Sequence, residues 1–281
     1  MRITRESHIT GIPRSAPVQR AADILRRDLQ MTLDPSDRPG AEIRLQNAQS
    51  SLPAECYVLT AQPEDNALML TAGDERGFIY GLLEISRRFL GVRPFWFWND
   101  QRFVPRDCAD VPEDFCLEST PFAVRRRGWF VNDEVLIHAW KVDRSSQRPW
   151  EMAFEALLRC GGNMVIPGTD RNSKKYRDLA ASMGLIITHH HAEPLGAEMF
   201  ARAYPELNAS FAEYPEKFRG LWERALEEQK DCEVVWNLGF RGQGDRPFWE
   251  DDPQYATPKA RGELMGRLIR EQYDMVQARF P

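Results

Sequence analysis

The 281-residue sequence lacks several signals that would assign it to a common class of protein. It has no run of about 18 apolar residues, so no membrane-spanning helix is expected. The N-terminal segment MRITRESHITGIPR lacks the apolar core of a signal peptide. As written, the chain is therefore expected in the cytoplasm, and its location stays open if the sequence is a fragment.

Cysteine pairs, basic patches and nucleotide-binding loops are also missing. The five cysteines are far apart and never form a CxxC pair, which argues against a disulfide framework and a thiolate zinc site. Lys and Arg number 37 against 42 for Asp and Glu, a net charge of −5, so nucleic acid is not an expected partner. No GxGxxG or GxxxxGK[ST] loop is present, and no nucleotide cofactor is expected.

The first part of the chain alternates helix and strand patterns. Residues 15–30 and 73–91 carry apolar side chains at helical spacing, and Ser15 and Asp74 are suited to cap these two helices. EIRLQ, ECYVLTA and ALMLTAG are short strand-like runs. The proline-rich and aromatic-rich segment VRPFWFWNDQRFVPRDCADVPEDF follows without a helical period. We therefore predict a small α/β accessory domain and connector over residues 1–118.

From residue 119 the pattern changes to strand, loop and helix, repeated four times. The four predicted strands are VRRRGWFVND, NMVIPG, LIITHHH and EVVWNLGFRGQGD, and a helical pattern follows each of them. Nearly continuous apolar strands alternating with helices predict a parallel sheet covered by helices. We interpret residues 119–281 as the first four βα units of a (β/α)8 TIM-type barrel.

Polar residues collect where three of these strands end. They are Asn132, Asp133 and Glu134 after the first strand, His189, His190, His191 and Glu193 after the third, and Arg241 and Asp245 after the fourth. The carboxyl ends of barrel strands form the face that carries the active site, so a polar ligand is expected there. Three structural alternatives without a ligand stay open. Residues 132–134 can form a helix-capping turn, the histidines can be solvated, and Arg241 and Asp245 can form an ion pair that closes a loop.

A metal site at the three histidines is a weaker hypothesis. Consecutive residues of a strand point to opposite faces, so at most two of the imidazoles can converge, whereas a metal site needs at least three placed donors. Outside the HHH run itself, neither HxH nor HExxH occurs. We therefore expect no bound metal and no cofactor.

The blocks RGWFVNDE, NMVIPGT, MGLIITHHHAEP and GFRGQGD, in this order and at these separations, resemble the barrel of glycoside hydrolase family 115. The segment RGFIYGLLEISRRFLGVRPFWFW likewise resembles the accessory α/β domain that precedes the barrel in that family. The resemblance covers about residues 15–281. It implies xylan α-1,2-glucuronidase activity, which is the inverting release of α-1,2-linked glucuronic acid or its 4-O-methyl form.

The resemblance also assigns residue roles. It implies that Asp245 and Glu193 are catalytic, with acid and base not distinguished, because glycoside cleavage uses two carboxyl groups. The residues implied to bind the substrate are Asn132, Asp133, His190, His191 and Arg241. An Arg side chain can bind the carboxylate of a uronic acid through two parallel hydrogen bonds.

Residues 119–281 are too few for a complete (β/α)8 barrel, which takes about 250 residues. We therefore expect a truncated barrel with an incomplete active site, and no hydrolysis of glucuronoxylan by this chain alone. The expected partner is a carbohydrate, with no nucleic acid and no membrane, and the sequence does not determine the oligomeric state. The alternatives are a noncatalytic carbohydrate-binding protein and a metal-dependent TIM-barrel hydrolase.

Overall fold

The computed structural model describes residues 1–49, 52–132, 136–242, 244 and 246–281. Within these residues the contacts divide the chain into two compact units. The first, here the N-terminal unit, comprises Met1–Gly128, Arg148–Asn163 and Ala181–Leu185. The second, here the C-terminal unit, comprises Trp129–Gln147, Met164–Ala180 and Ile186–Pro281. The domain border expected after residue 118 stays a prediction.

The described residues form a mixed set of strands and helices, as expected for an α/β protein. The strands are β1 (Arg2–Ile3), β2 (Ile9–Thr10), β3 (Glu42–Asn47), β4 (Tyr57–Gln62), β5 (Ala67–Ala72), β6 (Ala109–Asp110), β7 (Cys116–Glu118), β8 (Gly128–Phe130), β9 (Met164–Ile166) and β10 (Ile186–Ile187). The helices are α1 (Ala16–Thr32), α2 (Glu75–Ile85), α3 (Arg148–Arg159), α4 (Asp170–Ser182), α5 (Phe200–Ala203), α6 (Pro215–Glu228), α7 (Phe248–Asp251) and α8 (Pro258–Arg279).

The N-terminal unit is built on a five-stranded sheet with the order β2-β3-β5-β4-β7. The pairs β2–β3 and β3–β5 are parallel, and β4 is antiparallel to both β5 and β7. The three strands predicted from EIRLQ, ECYVLTA and ALMLTAG are confirmed as β3, β4 and β5. A short β1–β6 ladder accompanies this sheet.

Helices α1 and α2 begin at side-chain caps that the sequence predicts. The hydroxyl of Ser15 accepts a hydrogen bond from the Val18 amide at 3.3 Å, and the carboxylate of Asp74 accepts one from the Gly77 amide at 2.7 Å. These caps satisfy backbone donors that the first helical turn leaves without partners. A π-helical turn extends α2 over Ser86–Leu90, and Gly91 ends it with a φ of 74°. The apolar residues predicted to face the core are buried in both helices.

A network of buried charges joins α1, α3 and the turn that follows α2. Arg27 binds the Glu155 carboxylate through two bonds of 2.7 Å, and Arg159 binds Glu155 at 2.8 Å. Arg159 also donates to Asp28, whose carboxylate accepts a further bond of 2.5 Å from the Ser86 hydroxyl. Both acidic side chains are almost fully buried, so their charges require these partners.

The C-terminal unit contains a sheet with the order β10-β9-β8. Strands β9 and β10 are parallel, with Met164 opposite Ile186 and Val165 opposite Ile187. Helix α4 follows β9, and helices α5 and α6 follow β10. The repeated order of strand and helix confirms the expected fold class, which includes part of a (β/α)8 barrel.

The fourth predicted strand is much shorter than the sequence suggests. Val234 forms an isolated parallel bridge with Ile187, supported by bonds from the Ile187 amide to Glu233 and from the Val235 amide to Ile187. Within the described residues this segment has a neighbouring strand on one side only, so its hydrogen bonding is incomplete. The direction is nevertheless the parallel one predicted, and α8 follows the bridge as expected.

Aromatic side chains fill the core of the C-terminal unit between α5, α6 and the segment that precedes α7. The cluster consists of Phe200, Phe211, Phe218, Trp222, Phe240 and Phe248, all of which are buried. Phe240 meets Phe218 with ring centroids 5.1 Å apart and Phe248 with centroids 5.3 Å apart. Packing of this kind fixes the backbone beside Phe240, and Arg241 is the next residue.

The charge network of the N-terminal unit predicts a large loss of stability when one carboxylate is neutralised. Glu155→Gln leaves Arg27 and Arg159 to share the single negative charge of Asp28. We expect the free energy of unfolding at pH 7 to fall by about 3–5 kcal/mol. Urea denaturation measures this change. Glu151→Gln is the matched control on the same helix, since its partners Arg20 and Arg148 are partly exposed, and it is expected to cost less than about 1 kcal/mol.

The same network predicts a pH dependence. Burial alone raises the pKa of Glu155, but hydrogen bonds and charge from Arg27 and charge from Arg159 outweigh it and lower the pKa to about 2. The stabilisation is complete above the ordinary pKa of 4.5 and is lost as the pH falls from 4.5 towards 2. This loss should be absent in Glu155→Gln. Equal costs for the Glu155 and Glu151 variants would contradict the assignment.

Candidate functional site

The carboxyl ends of the strands in the C-terminal unit carry the predicted site residues. Asn132 lies two residues after β8 and is exposed. The three histidines begin two residues after β10, and Arg241 lies seven residues beyond the Val234 bridge. Asp133 and Asp245 lie outside the described residues. The positions of the remaining candidates can be compared directly.

His190 is the residue at which three of these strand ends meet. Its ring lies 5.3 Å from the ring of Phe130, the last residue of β8, and 3.9 Å from the ring of His191, measured between centroids. Its carbonyl accepts a hydrogen bond of 2.8 Å from the side-chain amide of Asn237, which lies three residues beyond the Val234 bridge. His190 is half-buried and His191 is exposed, so both rings can reach solvent or a ligand.

The first histidine of the run has a different environment. His189 is 4% exposed, and its Nε2 lies 2.6 Å from the Oε1 of Gln229. The Gln229 amide nitrogen donates to the carbonyls of Leu195 and Ala225 at 2.9 and 3.0 Å, so its oxygen must be the acceptor for His189. The proton therefore sits on Nε2 of a neutral imidazole. The histidines thus divide into one buried structural residue and two accessible ones.

Electrostatics agree with a neutral His189. Burial disfavours the imidazolium and lowers the pKa of His189 to about 4, despite the opposing hydrogen bond to Gln229 and with a further contribution from the charge of Arg177. The ring also stacks on Trp236, with centroids 5.9 Å apart. His189 consequently anchors the loop that carries its two neighbours.

Glu193 is buried, with 3% of its surface exposed, and it lies at the amino end of α4. Its carboxylate accepts a hydrogen bond from the backbone amide of Asp170, the first residue of that helix. A helix amino terminus favours a negative charge through its free amides and its dipole. The Glu193 amide also donates to the His190 carbonyl at 2.9 Å. Glu193 and His190 therefore belong to one tightly bonded loop.

Two residues with positive φ shape the rest of this loop. Leu195 has a φ of 59°, and its amide donates to the Asn237 carbonyl at 2.8 Å. Gly196 has a φ of 72°, and a Cβ atom there would lie 2.5 Å from the Nε2 of His189. Only glycine fits this close approach without displacing the His189 ring. The loop is thus fixed by its backbone as well as by its buried side chains.

Arg241 follows Phe240 of the aromatic core and is partly exposed. Arg241 lines a small cavity together with Ala192 and Pro194, which flank Glu193 in the histidine loop. Gly242 comes next, with a φ of 91°, and a Cβ atom there would lie 2.9 Å from the Phe248 Cα. The structure therefore brings Arg241 to the same loop as Glu193 and His190.

Two residues of this strand-end cluster were not identified from the sequence. The Phe130 ring lies beside the His190 ring, and the Asn237 side chain donates a hydrogen bond to the His190 carbonyl. Asn237 directly follows the apolar run Val234–Trp236, as Asn132 follows the run Trp129–Val131. An asparagine directly after an apolar run is therefore the sequence signal that could have identified Asn237.

In the described ranges, no group of three or more His, Cys, Asp or Glu side chains is placed to hold a metal ion. The imidazole of His189 is directed to Gln229, and the His190 and His191 rings contact each other. Among the same residues, no helix combines the length and the apolar character needed to cross a membrane.

Comparisons with known proteins concern both the sequence and the fold. The model of glycosyl hydrolase family 115 matches residues 119–280. No curated protein sequence matches the chain. Among solved structures, the chain is similar to a family GH115 4-O-methyl-α-glucuronidase, BtGH115A, with specificity for decorated arabinogalactans. The identity is 22% and the TM-score is 0.77, with 97% of this chain and 40% of that chain covered.

A second solved structure is the chitobiase FjGH20 of Flavobacterium johnsoniae, with 14% identity and a TM-score of 0.53. That alignment covers 99% of this chain and 48% of the chitobiase chain. At 22% and 14% identity, both similarities are evidence of a similar fold only. The chain spans less than half the length of either structure.

The environment of His189 predicts that stability depends on pH. Because its pKa is lowered to about 4 in the folded state from an ordinary 6.5, the unfolded chain binds a proton that the folded chain does not. The free energy of unfolding should therefore fall by about 3 kcal/mol as the pH drops from 6.5 to 4. Urea titrations at several pH values measure this change.

His189→Gln tests the assignment, since its amide nitrogen can replace Nε2 as the donor to Gln229 but does not titrate. We expect this variant to lose the pH dependence between 6.5 and 4 that distinguishes the wild-type chain. His8→Gln, at an exposed position, is the control and should keep it. The same pH profile in wild type and His189→Gln would show that His189 is not the titrating group.

Proposed function

The chain belongs to glycosyl hydrolase family 115, and on that premise we propose that its C-terminal unit supplies part of a site that releases glucuronic acid from a polysaccharide. The proposed reaction is the inverting hydrolysis of α-1,2-linked glucuronic acid, or its 4-O-methyl form, from xylan. The observation that carries the proposal is the meeting of Phe130, His190 and Asn237 at the carboxyl ends of neighbouring strands. The family match covers these same residues.

The described residues support a division of roles within this site. His190 and His191 present imidazole nitrogens that can bind sugar hydroxyls, and the Phe130 ring offers an apolar face beside them. Asn132 is exposed after β8 and can donate or accept through its amide. Asp133, adjacent in sequence, is proposed to bind the sugar with it.

Arg241 is proposed to recognise the carboxylate of the uronic acid. A planar guanidinium can bind both carboxylate oxygens, whereas a neutral sugar offers no such partner. The position of Arg241 supports this role, since Arg241 shares a cavity with the loop that holds Glu193 and His190. Gly242 and Gly244 both have positive φ, which lets the backbone after Arg241 turn close to a ligand.

Asp245 and Glu193 are proposed as the two catalytic carboxyl groups. Inverting hydrolysis uses one as the acid that protonates the leaving oxygen and the other as the base that activates water. The buried Glu193, held by the Asp170 amide, also has the fixed orientation that acid–base catalysis requires. The competing interpretation is that Glu193 only holds the amino end of α4. The kcat of Glu193→Gln distinguishes the two roles.

The Arg241 proposal predicts a selective loss of affinity in Arg241→Lys. Lysine keeps the positive charge but loses the two-pronged geometry, so binding of methyl α-glucuronoside should weaken about tenfold. Binding of methyl α-glucoside should change less than about twofold. Calorimetric titration of the 281-residue chain measures both affinities. Equal losses for the two sugars would assign Arg241 a structural role instead.

The catalytic proposal predicts that Asp245→Asn and Glu193→Gln each lower kcat by about 10²–10⁴-fold with little change in KM. The test uses a form of the protein that releases glucuronic acid from an aldouronic acid. Glu193→Gln keeps a carbonyl acceptor for the Asp170 amide, so a purely structural Glu193 would leave kcat nearly unchanged. Proton NMR of early product should show the β-anomer first, and the α-anomer would contradict inversion.

A further inference from the structure

The N-terminal unit contains a concave cavity of about 400 Å³ that the proposed function does not use. It lies between the end of α3, the turn after α2 and the strand β7, and all of its lining residues belong to this unit. Small-molecule sites in proteins have volumes of about 300–1,000 Å³. The size of the cavity is therefore sufficient for a small ligand.

One wall of the cavity consists of aromatic rings. Phe122 is 41% exposed, and its ring packs edge-on against Tyr80 with centroids 5.6 Å apart. The guanidinium of Arg127 lies 3.7 Å from the Phe122 ring centroid and holds the ring in place. Tyr57, the first residue of β4, contributes a third ring. An exposed aromatic ring that is fixed in this way offers a flat apolar surface to a ligand.

Polar groups also line the cavity. The Tyr57 hydroxyl has no hydrogen-bond partner in the part of the chain that the structure describes. Burial raises the pKa of Tyr57 to about 12, so this hydroxyl stays protonated and can donate. The hydroxyls of Ser119 and Thr120 and the guanidinium of Arg87 also line the cavity. These groups can both donate and accept hydrogen bonds.

Arginines beside the cavity already bind carboxylates. Glu84 is bound by Arg87 at 2.7 Å and by Arg88 at 3.0 Å, and Glu55 is bound by Arg127 at 2.5 Å. An anionic ligand would therefore lose its hydration and meet arginines that already bind carboxylates. A fully apolar ligand would in turn bury the Tyr57 hydroxyl without a partner. The arrangement favours a ligand that is neutral, apolar on one face and rich in hydroxyls at its edge.

A pyranose ring has this combination of properties, since its axial C–H bonds form an apolar face and its hydroxyls point outward. We propose that this cavity binds a sugar ring of a neutral oligosaccharide, with Phe122 under the ring and Tyr57 and Arg87 bound to its hydroxyls. The site lies in the N-terminal unit and is argued without any residue of the uronic acid site. The two proposals therefore stand or fall separately.

The test is a titration of the 281-residue chain with three neutral probes: xylohexaose, cellohexaose and a linear β-1,3-galactan hexasaccharide. Calorimetry or NMR should detect binding of at least one probe in the millimolar range or tighter. Tyr57→Phe removes only the free hydroxyl and should weaken that binding about three- to tenfold. Arg87→Gln should weaken it by about tenfold, because a hydrogen bond from a charged donor is lost.

Arg88→Gln is the matched control. Arg88 binds the same Glu84 carboxylate as Arg87 but does not line the cavity, so its replacement should change the affinity less than about twofold. Tyr57→Phe and Arg87→Gln should leave binding of methyl α-glucuronoside unchanged, which separates this site from the uronic acid site. Thermal unfolding of each variant checks that the fold is intact.

The proposal is overturned if none of the three probes binds, or if Tyr57→Phe and Arg87→Gln bind as tightly as Arg88→Gln. It is also overturned if these two variants weaken binding of methyl α-glucuronoside as much as binding of the neutral probe, since the effect would then not be confined to this cavity. If the unmodified chain binds a neutral probe but not methyl α-glucuronoside, the result contradicts only the proposed function. Each result therefore decides one of the two sites.

Discussion

Parallel strand pairing is the constraint on which the candidate site depends. Ile187 pairs in parallel with Val165 on one side and with Val234 on the other, so the chain leaves these strands at the same edge. This brings His190 and Asn237 into hydrogen-bonding distance although 47 residues separate them. Antiparallel pairing would send alternate loops to opposite edges of the sheet. The polar residues that follow these strands can contact one ligand only because the strands run in the same direction.

A shared edge does not by itself fix side chains to the accuracy that a sugar site requires. The loop after β10 achieves this through hydrogen bonds to its buried side chains: Gln229 fixes the tautomer of His189, and the Asp170 amide binds one oxygen of the Glu193 carboxylate. Because an unpaired buried group costs more than a single hydrogen bond provides, alternative loop conformations are disfavoured. Gly196 permits the close packing against His189. Interior polar contacts thus determine where the accessible His190 can point.

Local patterns predicted those parts of the fold that depend on neighbouring residues. Caps at Ser15 and Asp74 and apolar spacing identified α1 and α2, since both signals act within a few residues. Contacts between residues that are far apart in the sequence cannot be predicted from such local patterns. Asp28 lies in the buried stripe of α1 and finds its partner Arg159 131 residues later, which no local pattern indicates. The division of roles between His189 and His190 likewise depends on Gln229, a residue brought near only by folding.

The two proposed sites differ in how they distinguish ligands. At Arg241, as proposed, a uronic acid gains more than a neutral sugar because a charged acceptor strengthens both hydrogen bonds of the guanidinium. Around the cavity of the N-terminal unit, Glu84 and Glu55 already occupy their arginine partners. A uronic acid placed there would have to displace one of these ion pairs before gaining any attraction. A polysaccharide with both neutral and acidic sugars therefore presents each site with its own ligand, and the two sites would not compete.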